Sequence, residues 1–434
     1  MSVDVVSMLA IDAVPMLTND EPDDLPSEPE LQEDELGEDG LNLKLVEEAR
    51  REEMEFVKSI PVYEEVDIGE CWSRTGRPPV STKWVDIGKG KEGKTAIRSR
   101  WVARDFKIKG DKDREDLFAS MPPLEAKKAI FRLAATKMKE PAKKGRGKMK
   151  LLFVDVRKAH LNGVCDQEVY VELPKEAEAE GKCGRLKRWL YGMRPAAQAW
   201  EKDYSHRLQE EGLEKSLYSP VVFFNEATEL RLVVHGDDFT FPGYENGLDE
   251  IEGKTSTWYD IKVRGRLGDG PEGVKKIDIL NRTITWTGAE LIYRADEKHA
   301  EILLKEFGLE GGSKGLTSPI EKEVEEEGDD LMLSSAESTK YRALTARANY
   351  LAQDRADIQF AVKELCRKMS APTVGAWRRL KRLCRYLLVV RSIDIIFPSI
   401  IFENVLHVYT DSDWLQVHPK VDQRRLHMPG RGSS

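Results

Sequence analysis

Three aspartates carry the chemistry this sequence can do. Asp237 and Asp238 stand side by side in RLVVHGDDFTFP, inside a run that is otherwise β-branched and aromatic. The run reads as strand, turn, strand, with Gly236 permitting the tight turn and both acids projecting from it. Asp155 ends another apolar run, MKLLFVDV, and is the only other acid in the chain so placed. If these strands are neighbours, three carboxylates converge. At ~4 Å and an effective dielectric near 20, each like-charge pair costs about 4 kcal/mol, so the cluster must take up protons or hold cations. Hard oxygen donors suit Mg²⁺, with Mn²⁺ as an alternative. Two such ions about 3.5–4 Å apart can clamp the attacking and leaving oxygens of an in-line phosphoryl displacement.

The surrounding pattern supplies elements to position those acids. Met149 to Val156 predicts a central strand, EVYVELP at 168–174 alternates as another, and VVFFNEATELRLVV predicts strand, turn, strand before the acid pair. KWVDIGKGKEGKTAIRSRWVARDF predicts a hairpin closed by a glycine-rich turn. Helices are predicted from Leu41, over LEAKKAIFRLAATKMKE, and through Trp200, Tyr204 and Leu208 up to Gly212. Four more helical patterns, DEKHAEILLKEFG, ESTKYRALTARANYLAQ, ADIQFAVKELCRKMS and TVGAWRRLKRLCRYLLVV, make the C-terminal part mostly helical.

At 434 residues and 40% hydrophobic content the chain can fill two to four domains. It has no run of 18 apolar residues and no basic segment before its mildly apolar start, which argues against a membrane span or secretory signal and for an intracellular location, cytoplasmic or nuclear. Five scattered cysteines form no CxxC pattern, so buried free thiols are expected rather than a zinc site or disulfides. The net charge of −9 conceals a strong asymmetry. Residues 19–50 hold 13 acidic and 2 basic residues, residues 83–150 hold 21 basic and 9 acidic, and 367–391 hold 8 basic and none acidic. The acidic stretch cannot bury enough surface to offset its ordering entropy. The basic blocks suit a polyanionic partner.

A strand-end aspartate followed about 80 residues later by an Asp pair in a strand turn is the sequence form of a polymerase palm. From about Lys83 to Trp414 the chain resembles the reverse transcriptase of copia-type long-terminal-repeat retrotransposons. KWVDI with RSRWVARDFK resembles the family's KWV and KARLVARGF. LLFVDVRKAHLNGVCDQEVYVELP resembles LDVKTAFLNGxLxExVYMxxP, CGRLKRWLYGMRPAAQAW resembles CxLxKSLYGLKQAPRAW, and LRLVVHGDDFTFPG resembles LLLYVDDILIxG. YRALTARANYLAQDRADIQFAV and LKRLCRYL resemble two further helical segments, and YTDSDW the start of a ribonuclease H region, with Asp411 as its first carboxylate.

The resemblance implies an α+β right-hand polymerase: fingers, a ferredoxin-like palm and a helical thumb, behind a disordered acidic N-terminal tail. The expected divisions are a tail at 1–55, a fingers-like segment at 56–150, the palm at 151–265, a mostly helical thumb or connection at 266–400, and a truncated ribonuclease H-like start at 401–434. It implies RNA-directed DNA polymerase activity, joining a dNTP to a primer 3'-hydroxyl on an RNA or DNA template. Asp155, Asp237 and Asp238 become the catalytic, metal-binding carboxylates, with Asp155 and Asp237 bridging two Mg²⁺ ions and Asp238 supporting. Arg100 and Arg104 fall where family fingers contact the incoming triphosphate, and His160 where an aromatic ring excludes a 2'-hydroxyl.

Four positions depart from the family pattern. His160 replaces that aromatic residue, His235 and Gly236 replace the tyrosine and valine before the acid pair, and Pro195 replaces a glutamine expected to position template and nucleotide. GDD also occurs in viral RNA polymerases, but the flanking motifs match copia. A different class of function is a catalytically decayed, retrotransposon-derived relic that binds nucleic acid without catalysis.

Overall fold

The computed structural model describes residues 41–399 apart from 92–93, 106–118, 123, 178, 271, 310–311 and 321–326. The acidic tail up to residue 40 and the segment from residue 400, with Asp411, lie outside the described residues. Along the chain, α1 (Leu43–Ser59), β1 (Tyr63–Asp67) and α2 (Ile68–Thr75) lead into the hairpin β2 (Thr82–Lys91) and β3 (Lys94–Ala103). Then come α3 (Leu124–Lys139), β4 (Met149–Val156), β5 (Tyr170–Glu172), β6 (Lys182–Leu186) and α4 (Ala196–Glu210). They are followed by β7 (Glu214–Lys215), β8 (Val222–Asn225), β9 (Leu230–His235), β10 (Asp238–Tyr244), α5 (Glu245–Trp258) and β11 (Ile261–Leu267). The remainder is β12 (Lys276–Ile279), β13 (Arg282–Trp286), β14 (Glu290–Arg294), α6 (Lys298–Glu306), α7 (Ser335–Ala352), α8 (Gln359–Cys366), α9 (Val374–Val389) and β15 (Asp394–Pro398). The fold is thus a mixed arrangement of helices and strands.

Its centre is a six-stranded antiparallel sheet in the order β11-β4-β10-β9-β8-β7. Within it β4, α4, β9, β10, α5 and β11 follow a βαββαβ course, and their strands lie in the order fourth, first, third, second, the split βαβ arrangement. Strand alternation divides β4 cleanly between two cores. Leu152, Val154 and Val156 point to α4 and α5, meeting Trp200, Tyr204, Leu208, Leu248 and Ile251. Met149, Leu151 and Phe153 point the other way, to Ile130, Ala134 and Met138 of α3 and to the four-stranded sheet β12-β13-β14-β15.

The predicted hairpin forms, but its strands run on through the glycines to Lys91 and resume at Lys94. Backbone pairing persists there because glycine in a strand weakens the ladder without removing a donor. The first helix starts at Leu43, where Asn42 Oδ1 accepts hydrogen bonds from the Lys44 and Leu45 amides. The four C-terminal helical patterns appear as α6–α9 around one apolar core. The stretch before them is not helical: it supplies β12, β13 and β14. Of the five free thiols, Cys71, Cys183 and Cys384 are buried and Cys165 and Cys366 half-buried. Among the described residues no helix is long and apolar enough to cross a membrane.

Candidate active site

β4 is a central strand because six of its eight residues are apolar and can be covered on both faces, and it pairs with β10 on one side and β11 on the other. Register then fixes the acids. Asp238 lies directly opposite Asp155, and on the far side of each come His235, opposite Asp238, and Lys262, opposite Asp155. A row of four polar side chains therefore crosses one edge of an otherwise apolar face. The turn that ends β9 consists of Gly236 and Asp237, with Gly236 at φ +65°, the left-handed region a first turn position needs here. Two bonds hold the turn in place. The Val156 amide donates to Asp237 O at 2.9 Å, and Trp200 Nε1 of α4 donates to Gly236 O at 3.0 Å. The Trp200 ring also stacks on Phe239, with centroids 6.1 Å apart.

Asp237 is exposed at the tip of this turn, while Asp238 is buried. Burial, and next the neighbouring Asp237 charge, push the Asp238 carboxyl up to about 6, against the opposing pull of Arg264 and Lys127. Arg264 is the residue between the two carboxylates that sequence reasoning missed. It is the extra residue of a bulge between Val263 and Gly265, and its Nη2 lies 3.2 Å from Asp155 Oδ2 while its Nε lies 3.8 Å from Asp238 Oδ1. Gly265, at φ +148°, allows the bulge. No local signal in IKVRGRL distinguishes Arg264 from a solvent-facing strand residue, because the bulge arises from the pairing of β11 with β4.

Lys127 of α3 is the second missed residue. It is buried on the same side of the sheet, and burial pushes its amine down to about 7, with Asp238 opposing that shift. One signal was available: Lys127 extends the stripe Phe131, Ala134, Met138 by one turn, a lysine in line with an apolar face. His235 is kept neutral, its pKa lowered to about 3 by burial and then by Lys127 and Arg282. Its Nδ1 is buried without a hydrogen-bond partner.

Of the three residues expected to meet substrate, two come together. His160 lies in the short 3₁₀ turn Ala159–Asn162 after β4, and its ring sits 5.9 Å from that of Tyr191. The Arg100 guanidinium of β3 lies over the same ring at 5.5 Å. β3 is tied to this segment by the Ala103 amide, which donates to Tyr191 O at 2.7 Å. Burial raises the Tyr191 phenol, Arg100 lowers it, Glu53 raises it, Arg98 lowers it and Asp237 raises it, so the Tyr191 group lies within electrostatic reach of the aspartate turn. Arg104 sits one residue beyond β3, exposed, with its amide bonded to Ser81 O, and is not part of the Tyr191 group. Pro195 is the N-cap of α4, its carbonyl accepting the Ala199 amide at 2.9 Å, and its own missing N–H is one that the helix would not have used.

Hard, anionic oxygens at Asp155 and Asp238, one of them held above its ordinary pKa, fit a divalent cation by donor chemistry. As the side chains stand, no three Asp, Glu, His or Cys residues converge as a ligand group among the described residues. Arg264 provides the positive charge there.

Comparisons with known proteins bear on what this site belongs to. Residues 71–262 match the family described as "Reverse transcriptase (RNA-dependent DNA polymerase)". The chain is 25% identical over 389 residues to the Retrovirus-related Pol polyprotein from transposon TNT 1-94 of Nicotiana tabacum, covering 84% of this chain and 27% of that polyprotein. It is 26% identical over 274 residues to the corresponding polyprotein from transposon RE2 of Arabidopsis thaliana, covering 60% of this chain and 17% of the other. It thus spans about a quarter or less of the length of these relatives. Among solved structures, apo telomerase from Candida tropicalis aligns with a TM-score of 0.33 at 11% identity, over 58% of this chain and 60% of that one.

Proposed function

We infer the function of this chain from one premise: residues 71–262 are a reverse transcriptase region related to those of retrotransposon Pol polyproteins. The reaction is RNA-directed DNA synthesis, in which the primer 3'-oxygen bonds to the α-phosphorus of a dNTP as the bond to pyrophosphate breaks. One observation carries this reading: the register that sets Asp155 opposite Asp238 on the two central strands of a βαββαβ sheet, with Asp237 on the adjoining turn. That sheet is the ferredoxin-like palm, residues 151–265. Residues 56–150 are the fingers-like segment and 266–400 the thumb or connection.

Asp155, Asp237 and Asp238 are the residues that hold divalent cations, two Mg²⁺ ions. When bound, such ions neutralise charge on the triphosphate and favour the ionised primer hydroxyl. The chain's own groups do the rest. Arg100, lying over the Tyr191 ring, offers its guanidinium to the triphosphate, with Arg104 a further cation just beyond the end of β3. His160 and Tyr191 face the sugar. Trp200 keeps the aspartate turn from drifting. The basic stretches 83–150 and 367–391 attract the template-primer.

A second reading, a decayed relic that binds nucleic acid without catalysis, is favoured by one observation: a guanidinium rather than a third carboxylate completes the cluster. Primer extension on an RNA template with Mg²⁺ and dNTPs separates the two. The polymerase reading expects extension that falls by at least about a thousandfold in Asp155→Asn. Template binding without extension, unchanged by that substitution, belongs to the relic.

A further inference from the structure

Arg264 has no evident place in a cation-dependent site, yet it reaches both carboxylates that face each other across the central strands. Its position is built rather than incidental. The bulge between Val263 and Gly265 inserts it as an unpaired residue two positions after Lys262, which is itself opposite Asp155. Without the bulge, residue 264 would fall opposite Phe153, one pair further from Asp155, instead of standing unpaired beside it. Its exposure differs from that of its partners: the Arg264 side chain is 37% exposed, Asp155 21% and Asp238 11%. The guanidinium approaches the half-buried Asp155 and the buried Asp238 from the solvent side.

That asymmetry determines what the contact can do. An ion pair reached from solvent, with one end at 3.8 Å, contributes little net stability, so it can be exchanged for a stronger partner. Arg355 shows the contrast. Fully buried, it is held by Asp357 and by the carbonyls of Val390 and Arg391, and has no path outward. Among the described residues Arg264 is held by two acids, Asp155 and Asp238.

We propose that Arg264 is an internal counter-cation: it neutralises Asp155 and Asp238 while the site lacks a divalent ion, and must swing out to solvent for the ion to bind. This rests on reading those acids as cation ligands. Cation binding is then a displacement. The affinity of the site is set by competition with a guanidinium tethered in the same chain, and the divalent requirement of the protein is higher than that of its carboxylates alone. Once displaced, the guanidinium remains beside the cluster at its open edge, where the polyanionic end of a nucleotide arrives.

Terbium(III) luminescence tests this on the full chain, because Trp200 donates a hydrogen bond to the aspartate turn and lies close enough to sensitise a bound lanthanide. Tb³⁺ is titrated into wild type, Arg264→Met, Arg264→Lys and Asp238→Asn, and bound Tb³⁺ is then competed off with Mg²⁺. The expected result is at least about tenfold tighter binding in Arg264→Met than in wild type, with Arg264→Lys between them and Asp238→Asn weakest. Thermal melts provide a second readout: Mg²⁺ added to EDTA-treated protein should raise the Tm of Arg264→Met more than that of wild type, a difference that a merely structural arginine would not produce. Equal Tb³⁺ affinity in wild type and Arg264→Met, with Asp238→Asn still weakened, overturns the role of Arg264 and leaves the cation-site reading standing. Binding indifferent to Asp155→Asn and Asp238→Asn overturns both.

Discussion

Asp155 and Asp238 face each other across the antiparallel pair β4 and β10, directly opposite in register, with Asp238 the more buried of the two. The resemblance implies that Asp155 and Asp237 share the cations and that Asp238 supports them. In the structure the cross-strand partner of Asp155 is Asp238, and Asp237 stands at the tip of the turn. The consequences for stability and for substrate binding are therefore different for the two adjacent acids.

Asp238 costs stability when ionised. Its folded pKa is raised from 3.8 to about 6, so the contribution is intact below pH 4 and is lost as pH rises through 6. At about 1.4 kcal/mol per pH unit the cost at neutral pH is on the order of 3 kcal/mol. Asp238→Asn in EDTA should be more stable than wild type by roughly 1–3 kcal/mol at pH 8, with the difference closing toward pH 4. Urea denaturation at pH 8, 6 and 4 measures it; a less stable variant at pH 8 contradicts the electrostatics described.

Gly236→Ala isolates the backbone of the turn. Open space surrounds the position a Cβ would take, so only the left-handed φ of +65° opposes the methyl group. The expected loss is about 1 kcal/mol, read from the denaturation midpoint at unchanged slope. A loss several times larger would mean that the turn conformation itself changes.

His160→Phe tests the sugar-facing role. A larger apolar ring beside Tyr191 should exclude a 2'-hydroxyl better, raising the preference for dNTP over rNTP by about tenfold or more. Single-nucleotide incorporation with matched dNTP and rNTP gives the ratio. Identical ratios in the two proteins assign His160 to packing.

Arg100 and Arg104 should separate under alanine substitution. Arg100 rests on Tyr191 close to the aspartate turn, so Arg100→Ala should raise the KM for dNTP about tenfold with a smaller change in kcat. Arg104→Ala, exposed and one residue beyond that strand, should change KM by less than about threefold. Steady-state extension at varied dNTP discriminates between them, and a larger effect at Arg104 would move the triphosphate outward along β3.

The aspartates were legible because a charge inside an apolar run is a local anomaly, visible without knowing any partner. The helices α6 to α9 were legible for a similar reason, since each carries its own stripe. The four-stranded sheet was not, because β15 pairs with β14 only after about 100 intervening residues, and no local pattern encodes that return. Helix α5 was also hard to read, with two glycines in ENGLDEIEGKTSTW weakening its periodicity. In the site, Arg264 depends on a register shift and Tyr191 on the packing of β3 against the segment before α4. Both are products of pairing, which a linear reading of spacing does not contain.

The acids stand at the ends of two inner strands of the six-stranded sheet, with β4 hydrogen-bonded on both sides and covered on both faces. Amides of this strand should be among the last to exchange with deuterium, opening only when the whole sheet comes apart. The arginine, the histidine and the tyrosine that complete the site are carried instead by a hairpin and short turns. A lineage accumulating substitutions would therefore lose the arrangement of Arg100, His160 and Tyr191 long before it lost where its aspartates stand.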